Sequence, residues 1–190
     1  MSNHGATHVV LILAAGESRR YGSAKQLAVI EGEPMIRRVV RNLLDPDKYE
    51  LVVILGAREE LIRPTIADLE VEIVLNMDWK SGIALSIQAG ASHVKSKYPQ
   101  ARGIVIVLGD QWRIRKEHIK ELIAQAEASH SIVAMNYDGC AGVPVYFPKD
   151  TWSLFSLLQG DEGAKKILES MEDVILIDIP EAKIDLDFPE

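Results

Sequence analysis

Apolar and polar residues alternate along this chain in two distinct rhythms. Short runs rich in β-branched residues recur at Val9–Leu13, Leu51–Leu55, Val71–Leu75, Ile104–Leu108, Ile132–Met135, Val143–Phe147 and Val174–Ile179. Several are apolar on both faces, the pattern of central strands in a sheet covered on both sides. Between them the rhythm changes to a helical one. Ile36, Val39, Val40, Leu43 and Leu44 make one stripe, with Pro34 as a first-turn residue and Asp45-Pro46 as the stop. Ile83, Ile87, Ala91 and Val94 make a second; Ile119, Leu122, Ile123 and Ala126 a third; Ala164, Ile167, Leu168 and Met171 a fourth. Pro64 obscures the pattern between Glu59 and Leu69. Strand and helix in this alternation predict βαβ units and a mostly parallel sheet, whose ligands bind beyond the carboxyl ends of the strands.

The residues after the first predicted strand carry the strongest chemistry. They read A-A-G-E-S-R-R-Y-G-S-A-K-Q-L over 14 to 27. Gly16 and Gly22 let the backbone turn tightly and approach a ligand, and free N–H groups in such a loop form an anion-binding concavity. Arg20 can grip phosphate oxygens in a bidentate fork, and Lys25 adds a mobile point charge. These groups suit a polyphosphate; a solvated surface loop is the bland alternative. Five residues separate Gly16 from Gly22, which excludes the G-x-G-x-x-G dinucleotide fingerprint. Lys25 follows Ser23-Ala24 and precedes Gln26, which excludes a G-K-[ST] P-loop. After the fourth predicted strand, G-D-Q places Asp110 at a strand's carboxyl end. Asp is common in turns, but beside a triphosphate loop a carboxylate there can hold Mg2+ together with phosphate oxygens and water.

The loop resembles the signature L-A-A-G-x-S-x-R-[MFY]-G-x-x-K of the nucleotidyltransferase superfamily, and within it the molybdenum-cofactor cytidylyltransferases. That resemblance implies that Gly16, Ser18, Arg20, Gly22 and Lys25 contact the triphosphate, that Ala14 and Ala15 lie along the nucleotide, and that Arg19 is solvated. L-G-D-Q-W is similar to the family's L-[AG]-D-Q-P, whose Asp binds the metal; Trp112 stands where proline is usual. N-M-D-W-K-S-G-I-A-L-S-I-Q-A-G, residues 76 to 90, is similar to a segment whose glycine and serine lie near the nucleoside, here Gly82 and Ser86. By itself, Trp79 reads as a packing residue. G-V-P-V-Y-F and G-D-E-G-A-K resemble segments on the acceptor side, although Asp161 reads better as a plain helix N-cap, with Gly160 ending the preceding turn. The closing I-D-L-D-F-P-E resembles a tail whose second Asp supplies another metal carboxylate, which points to Asp187 with Asp185 in reserve; a solvated acidic tail is the alternative.

Bulk properties narrow the field further. The chain has 190 residues, which fits a single domain spanning 1–190. Its formal charge of -7 argues against nucleic acid as partner, yet leaves room for a small anion at a local basic loop or metal. A lone cysteine, Cys140, implies a reducing compartment. The apolar run Val9–Ala15 is too short to span a bilayer and is wrongly flanked for a signal peptide, so no membrane association and a cytoplasmic location are expected.

Together these features predict a three-layer α/β, Rossmann-like nucleotidyltransferase fold with a predominantly parallel sheet. Lys25, Arg20 and Asp110 are the expected catalytic groups, with Mg2+ held by Asp110 and Asp187. The expected reaction transfers a nucleotidyl group, CMP from CTP above other NTPs, to a phosphate-bearing acceptor such as molybdopterin, releasing pyrophosphate. A phosphate monoester has its second pKa at about 6, so it needs no general base at neutral pH. His118 and His130 are accordingly read as solvated. The choice of CTP rests on Ala14-Ala15-Gly16, where a methyl on Ala15 would narrow a pocket that a purine needs. A molybdoenzyme or delivery protein is the expected recipient of the product. Two alternatives share the loop: a sugar- or alditol-phosphate nucleotidyltransferase, and a non-catalytic nucleotide-binding module in cofactor delivery. Binding alone would not need Lys25, Asp110 and Asp187 together, which argues against the module.

Overall fold

A computed structural model describes residues 8–18 and 24–183. Its strands, in chain order, are β1 (His8–Leu13), β2 (Val29–Ile30), β3 (Glu33–Pro34), β4 (Glu50–Leu55), β5 (Glu72–Leu75), β6 (Gly103–Leu108), β7 (Val133–Tyr137), β8 (Cys140–Pro148) and β9 (Ile175–Ile177). The helices are α1 (Met35–Leu43), α2 (Glu59–Ile62), α3 (Ile83–Lys97), α4 (Lys116–Ser129) and α5 (Ala164–Leu168). All seven strands expected from the β-branched runs form, and they build one sheet in the order β5-β4-β1-β6-β8-β7-β9. Only β8 runs against the others.

Alternation along β1 sorts its side chains into two cores. Val10, Ile12 and Ala14 face a layer containing α1, α2 and α4. Val9, Leu11, Leu13 and Ala15 face a layer containing α3, α5 and a 3-10 helix at Lys149–Leu157. Period two on the strand and helices on both faces are therefore the same fact, and together they give the three-layer architecture. After β1 the chain moves outward through β4 to β5, then crosses to the other side of β1 to lay down β6. That reversal leaves the carboxyl ends of β1 and β6 side by side, in register from His8 against Gly103 to Leu13 against Leu108. Such a switch point is where a doubly wound sheet opens to a ligand.

Three features escaped the sequence pattern. The β2–β3 ladder has two residues per strand and is too short to show a period. The 3-10 helix at Lys149–Leu157 buries Trp152 and Phe155, an i, i+3 pair that suits three residues per turn. The Glu59–Leu69 stretch resolves into α2 followed by a 3-10 turn at Arg63–Thr65, with Pro64 at the start of that turn, where a missing N–H costs nothing. His118 is also not solvated as expected. In the first turn of α4, its Nδ1 accepts the Arg115 backbone N–H at 3.2 Å, and its Nε2 lies 3.8 Å from a Glu181 carboxylate oxygen. His130 is exposed and closes α4 in the left-handed conformation, φ 55°.

At the amino end of the sheet, the buried His8 lies between Glu127 (Nε2 to Oε1, 3.1 Å) and the Tyr146 hydroxyl (3.3 Å from Nδ1). One neutral tautomer satisfies both contacts, with Nε2–H donating to Glu127 and Nδ1 accepting from Tyr146. Burial lowers the His8 pKa below 6.5 and outweighs the raising effect of Glu127. The unfolded chain therefore binds this proton first, and His8 costs stability progressively as pH falls below about 6.5. Denaturant melts at pH 7.5 and pH 5.5 should show a larger acid-side loss of stability in the wild type than in His8→Gln. Equal losses would remove His8 from the pH response.

Candidate active site

The carboxyl ends of β1 and β6 open into a cleft of about 430 Å3. Its lining gathers Ala14, Ala15, Gly16 and Ser18 from the first loop, Lys25, then Gly82 and Ser86, and Asp110, whereas no residue of the G-V-P-V-Y-F segment lines it. Eight of the residues expected at the site thus share one cavity. Arg20, Gly22, Asp185 and Asp187 lie outside the described residues.

The alanines have a packing role that the motif did not reveal. A side chain on Gly109 would meet the Ala14 methyl at 2.9 Å, and one on Gly56 would meet the Ala15 methyl at 2.9 Å. Small residues on the three strand ends therefore let the backbones close up. Ala14 N–H donates to Ile54 O, Ala57 N–H to Ala15 O and Gly109 N–H to Leu13 O, at 2.9 to 3.0 Å. Ala15 is 3% exposed. Its methyl sits within the packing beneath Gly56 and Trp79, so exchanging it for glycine would open a hole in the core as well as the cleft. Beyond the alanines the chain enters open space, since nothing lies within 4 Å of a side chain built on Gly16.

Gln26 holds this loop in shape. It is buried, and its Nε2 donates to both Ala14 O (3.1 Å) and Gly16 O (2.8 Å) while its Oε1 accepts from the Ser18 hydroxyl at 3.3 Å. Gln111 does the same for the β6 end. Its Oε1 accepts the Leu108 N–H, and its Nε2 donates to Val143 O (3.0 Å) and Tyr137 Oη (3.2 Å). Sequence reading assigned neither glutamine a role. The signal was an amide placed directly after each charged site residue, K-Q and D-Q, where one side chain can satisfy donors and acceptors together.

Between these braces the two charged groups meet. Lys25 Nζ donates to Asp110 Oδ2 at 2.8 Å, across 85 positions of sequence. Both side chains are largely shielded, 13% and 26% exposed. The other carboxylate oxygen, Oδ1, is buried with no hydrogen-bond partner among the described residues. A buried, unsatisfied anionic oxygen is costly and calls for a ligand. Among the described residues no three His, Cys, Asp or Glu side chains converge as a metal cage. Mg2+ does not require one, because it takes one or two carboxylates and completes its octahedron with phosphate oxygens and water.

The opposite wall is the turn Trp79–Ser81 and the start of α3. Asn76 organises it, with Nδ2 donating to the buried Ser86 hydroxyl at 3.0 Å and Oδ1 accepting the Asp78 N–H at 3.0 Å. Ser86 thus lines the cleft with its hydroxyl already bonded. Trp79 packs against the core and also lines the cleft. Gly82 has φ +102°, and a side chain there would lie 2.1 Å from Gly160 O. That carbonyl caps α3 by accepting the Ala84 N–H at 3.1 Å. Asp161 is not the helix cap that its motif suggested. The N-cap of α5 is Gly163, with no side-chain bond, because Gln159 to Glu162 close a turn of their own through the Glu162 carboxylate. The turn leaves Asp161 exposed on the rim of the cleft. Trp112 also turns away from the cleft. It packs on the α1 layer between Arg38 and Arg113, with its carbonyl held by Asn42.

Comparison with known proteins agrees with this geometry. The chain is 26% identical over 166 residues to the purine catabolism protein PucB of Bacillus subtilis, covering 84% of this chain and 80% of that one. A probable molybdenum cofactor guanylyltransferase of Thermococcus sibiricus is 24% identical over 125 residues, 66% of this chain and 59% of the relative. The fold superposes on a solved homologue of Rv0371c from Mycobacterium sp. strain JC1 with a TM-score of 0.77 and 26% identity, covering 90% and 85% of the two chains. No helix among the described residues is long and apolar enough to cross a membrane. Residues 10–174 match the model of the MobA-like NTP transferase domain, and the chain belongs to that family of nucleotidyltransferases.

Proposed function

We propose that this protein transfers a nucleotidyl group, CMP from CTP, to a phosphate-bearing acceptor of the molybdopterin kind. An acceptor phosphate oxygen attacks the α-phosphorus of the NTP, a new P–O–P linkage forms, the α–β bond breaks, and its electron pair leaves with pyrophosphate. The observation that carries this reading is the meeting of Lys25 and Asp110 at the mouth of a glycine loop, with one Asp110 oxygen buried and unpartnered. Asp110, joined by Asp187 of the tail, would hold Mg2+, which supplies charge neutralisation for the phosphates when bound. Lys25 then stabilises negative charge that grows on the phosphoryl oxygens, while Gln26 fixes the loop backbone through the Ala14 and Gly16 carbonyls. No residue need remove a proton, because the attacking phosphate is already ionised at neutral pH.

Ala14-Ala15-Gly16 supports CTP. A second reading, GTP, is favoured by the guanylyl transfer named for the Thermococcus sibiricus relative. Pyrophosphate release from CTP, GTP, UTP and ATP with molybdopterin as acceptor tests both readings. CTP turning over fastest supports the first and GTP the second, and no release with any of the four removes nucleotidyl transfer. In the same assay Asp110→Asn should lower turnover about 10²- to 10³-fold and flatten its dependence on Mg2+ concentration. An unchanged Mg2+ titration would exclude Asp110 as a ligand. Asp187→Asn should behave alike if the tail reaches the site.

A further inference from the structure

The cleft rim carries an opposed pair of charges that nucleotidyl transfer does not use. Lys80 lies on the Trp79–Ser81 turn, with its ammonium 5.5 Å from the centre of the Trp79 ring, and it lines the cleft. Asp161 lines the same cleft from the loop before α5. The two backbones are in close contact, since a side chain on Gly82 would lie 2.7 Å from the Asp161 nitrogen. Lys80 and Asp161 are nevertheless not ion-paired with each other, and both are exposed. Neighbouring opposite charges that face one cavity without neutralising each other offer a donor and an acceptor to whatever enters. Both stand on rigid supports. Asn76 and two backbone bonds, Ser81 N–H to Asp78 O and Gly82 N–H to Trp79 O, fix the turn, and the Gly160 carbonyl ties the Asp161 loop to α3.

We propose that Asp161 and Lys80 read the nucleobase, and that they make the site select cytosine over uracil. The inference rests on the nucleotidyltransferase reading for its ligand. The two bases differ along one edge: cytosine carries an amino donor at C4 beside a bare N3 acceptor, where uracil carries a carbonyl oxygen at C4 beside an N3–H donor. A carboxylate can only accept hydrogen bonds, so Asp161, set against C4 and not N3, accepts from the cytosine amino group and is repelled by the uracil oxygen. An ammonium can only donate, so Lys80 serves the ring carbonyl that both bases share and adds affinity without discriminating. The A-A-G sequence of the first loop carries no such distinction, because its methyl groups sense size and not hydrogen-bond polarity.

Calorimetric titration of the full chain with CTP and with UTP, in Mg2+, tests the assignment without turnover. The wild type should bind CTP about 10- to 100-fold more tightly than UTP, the range expected for one charged group reading one base edge. Asp161→Ala should bring the ratio close to one, and Lys80→Gln should weaken both nucleotides while keeping the ratio. Asp161 is exposed and caps no helix, so its variant should melt like the wild type. Wild type that binds UTP as well as CTP, or Asp161→Ala with an unaltered ratio, overturns the proposal. Pyrophosphate release is a separate readout. Its absence in a wild type that still prefers CTP removes the transfer reading and leaves base selection standing. Its presence alongside an unaltered ratio in Asp161→Ala removes base selection alone.

Discussion

Lys25→Ala is expected to lower kcat about 10²- to 10³-fold while leaving the folded state nearly as stable as the wild type. The ammonium occupies the cleft lining and bonds Asp110 at 2.8 Å, within reach of the phosphates that the loop is shaped to receive. Loss of a donor aimed at developing charge costs about 2.7–4 kcal/mol in the transition state, because the site excludes water and is organised in advance. The folded state loses much less. Lys25 lies outside both apolar cores, and the Asp110 carboxylate it would leave behind lines an open cleft, where water can reach it in the variant. Steady-state pyrophosphate release and a thermal melt on the same preparation check both halves. Turnover equal to wild type, with an equal Tm, would show that Lys25 is only a solvated loop residue. A large fall in Tm would instead assign it to folding.

Gly82→Ala is expected to have the largest effect on stability among single exchanges at the site. Alanine there must adopt φ +102° and place its methyl 2.1 Å from a backbone carbonyl oxygen that cannot rotate aside. Strain at such a φ costs about 1–3 kcal/mol. Pushing Gly160 away also breaks its bond to Ala84 N–H, about 0.5–1.5 kcal/mol more. The sum, about 1.5–4.5 kcal/mol, corresponds to a Tm lower by roughly 3–18 °C for a domain of this size. Gly160→Ala is the control. Gly160 also has positive φ, +54°, but nothing lies within 4 Å of its missing side chain. It should therefore lose only the left-handed penalty of about 1–2 kcal/mol. Equal melting shifts in the two variants would show that the close approach of Gly82 to Gly160 contributes nothing. Nucleotide affinity should fall in Gly82→Ala as well, because the same contact holds Lys80 and Asp161 on one rim.

Much of this protein was legible in the order of its residues. The β-branched runs located all seven strands of the main sheet, because a strand buried on both faces must be apolar throughout. The helical stripes located α1, α3, α4 and α5 for the equivalent reason at period 3.6. The first loop announced the cleft through Gly16, Ser18 and Lys25, all three of which line it, because backbone freedom and fixed charge are local properties of those residue types. Local rules also placed Asp110 at the end of a strand, where a ligand of such a sheet binds.

Contacts between segments were decided only by the tertiary structure. Lys25 and Asp110 meet because the chain reverses at β1 and lays β6 beside it, and no local period specifies which strands become neighbours. The two alanines of the first loop looked like nucleotide contacts, and they also prove to be spacers against Gly56 and Gly109, which arrive from β4 and β6. Asp161 followed the rule for a helix cap, yet the turn closed by Glu162 moved the helix start to Gly163 and left Asp161 exposed on the cleft that Lys80 also lines. A capping preference is worth about 1 kcal/mol, and packing of the 160 loop on Gly82 overrides it. Sequence therefore determined which elements form and which loop residues line the cleft, since both follow from short-range periodicity and residue chemistry. Folding alone determined which charges face one another across the cleft, since that depends on crossovers and close backbone contacts between residues far apart in the chain.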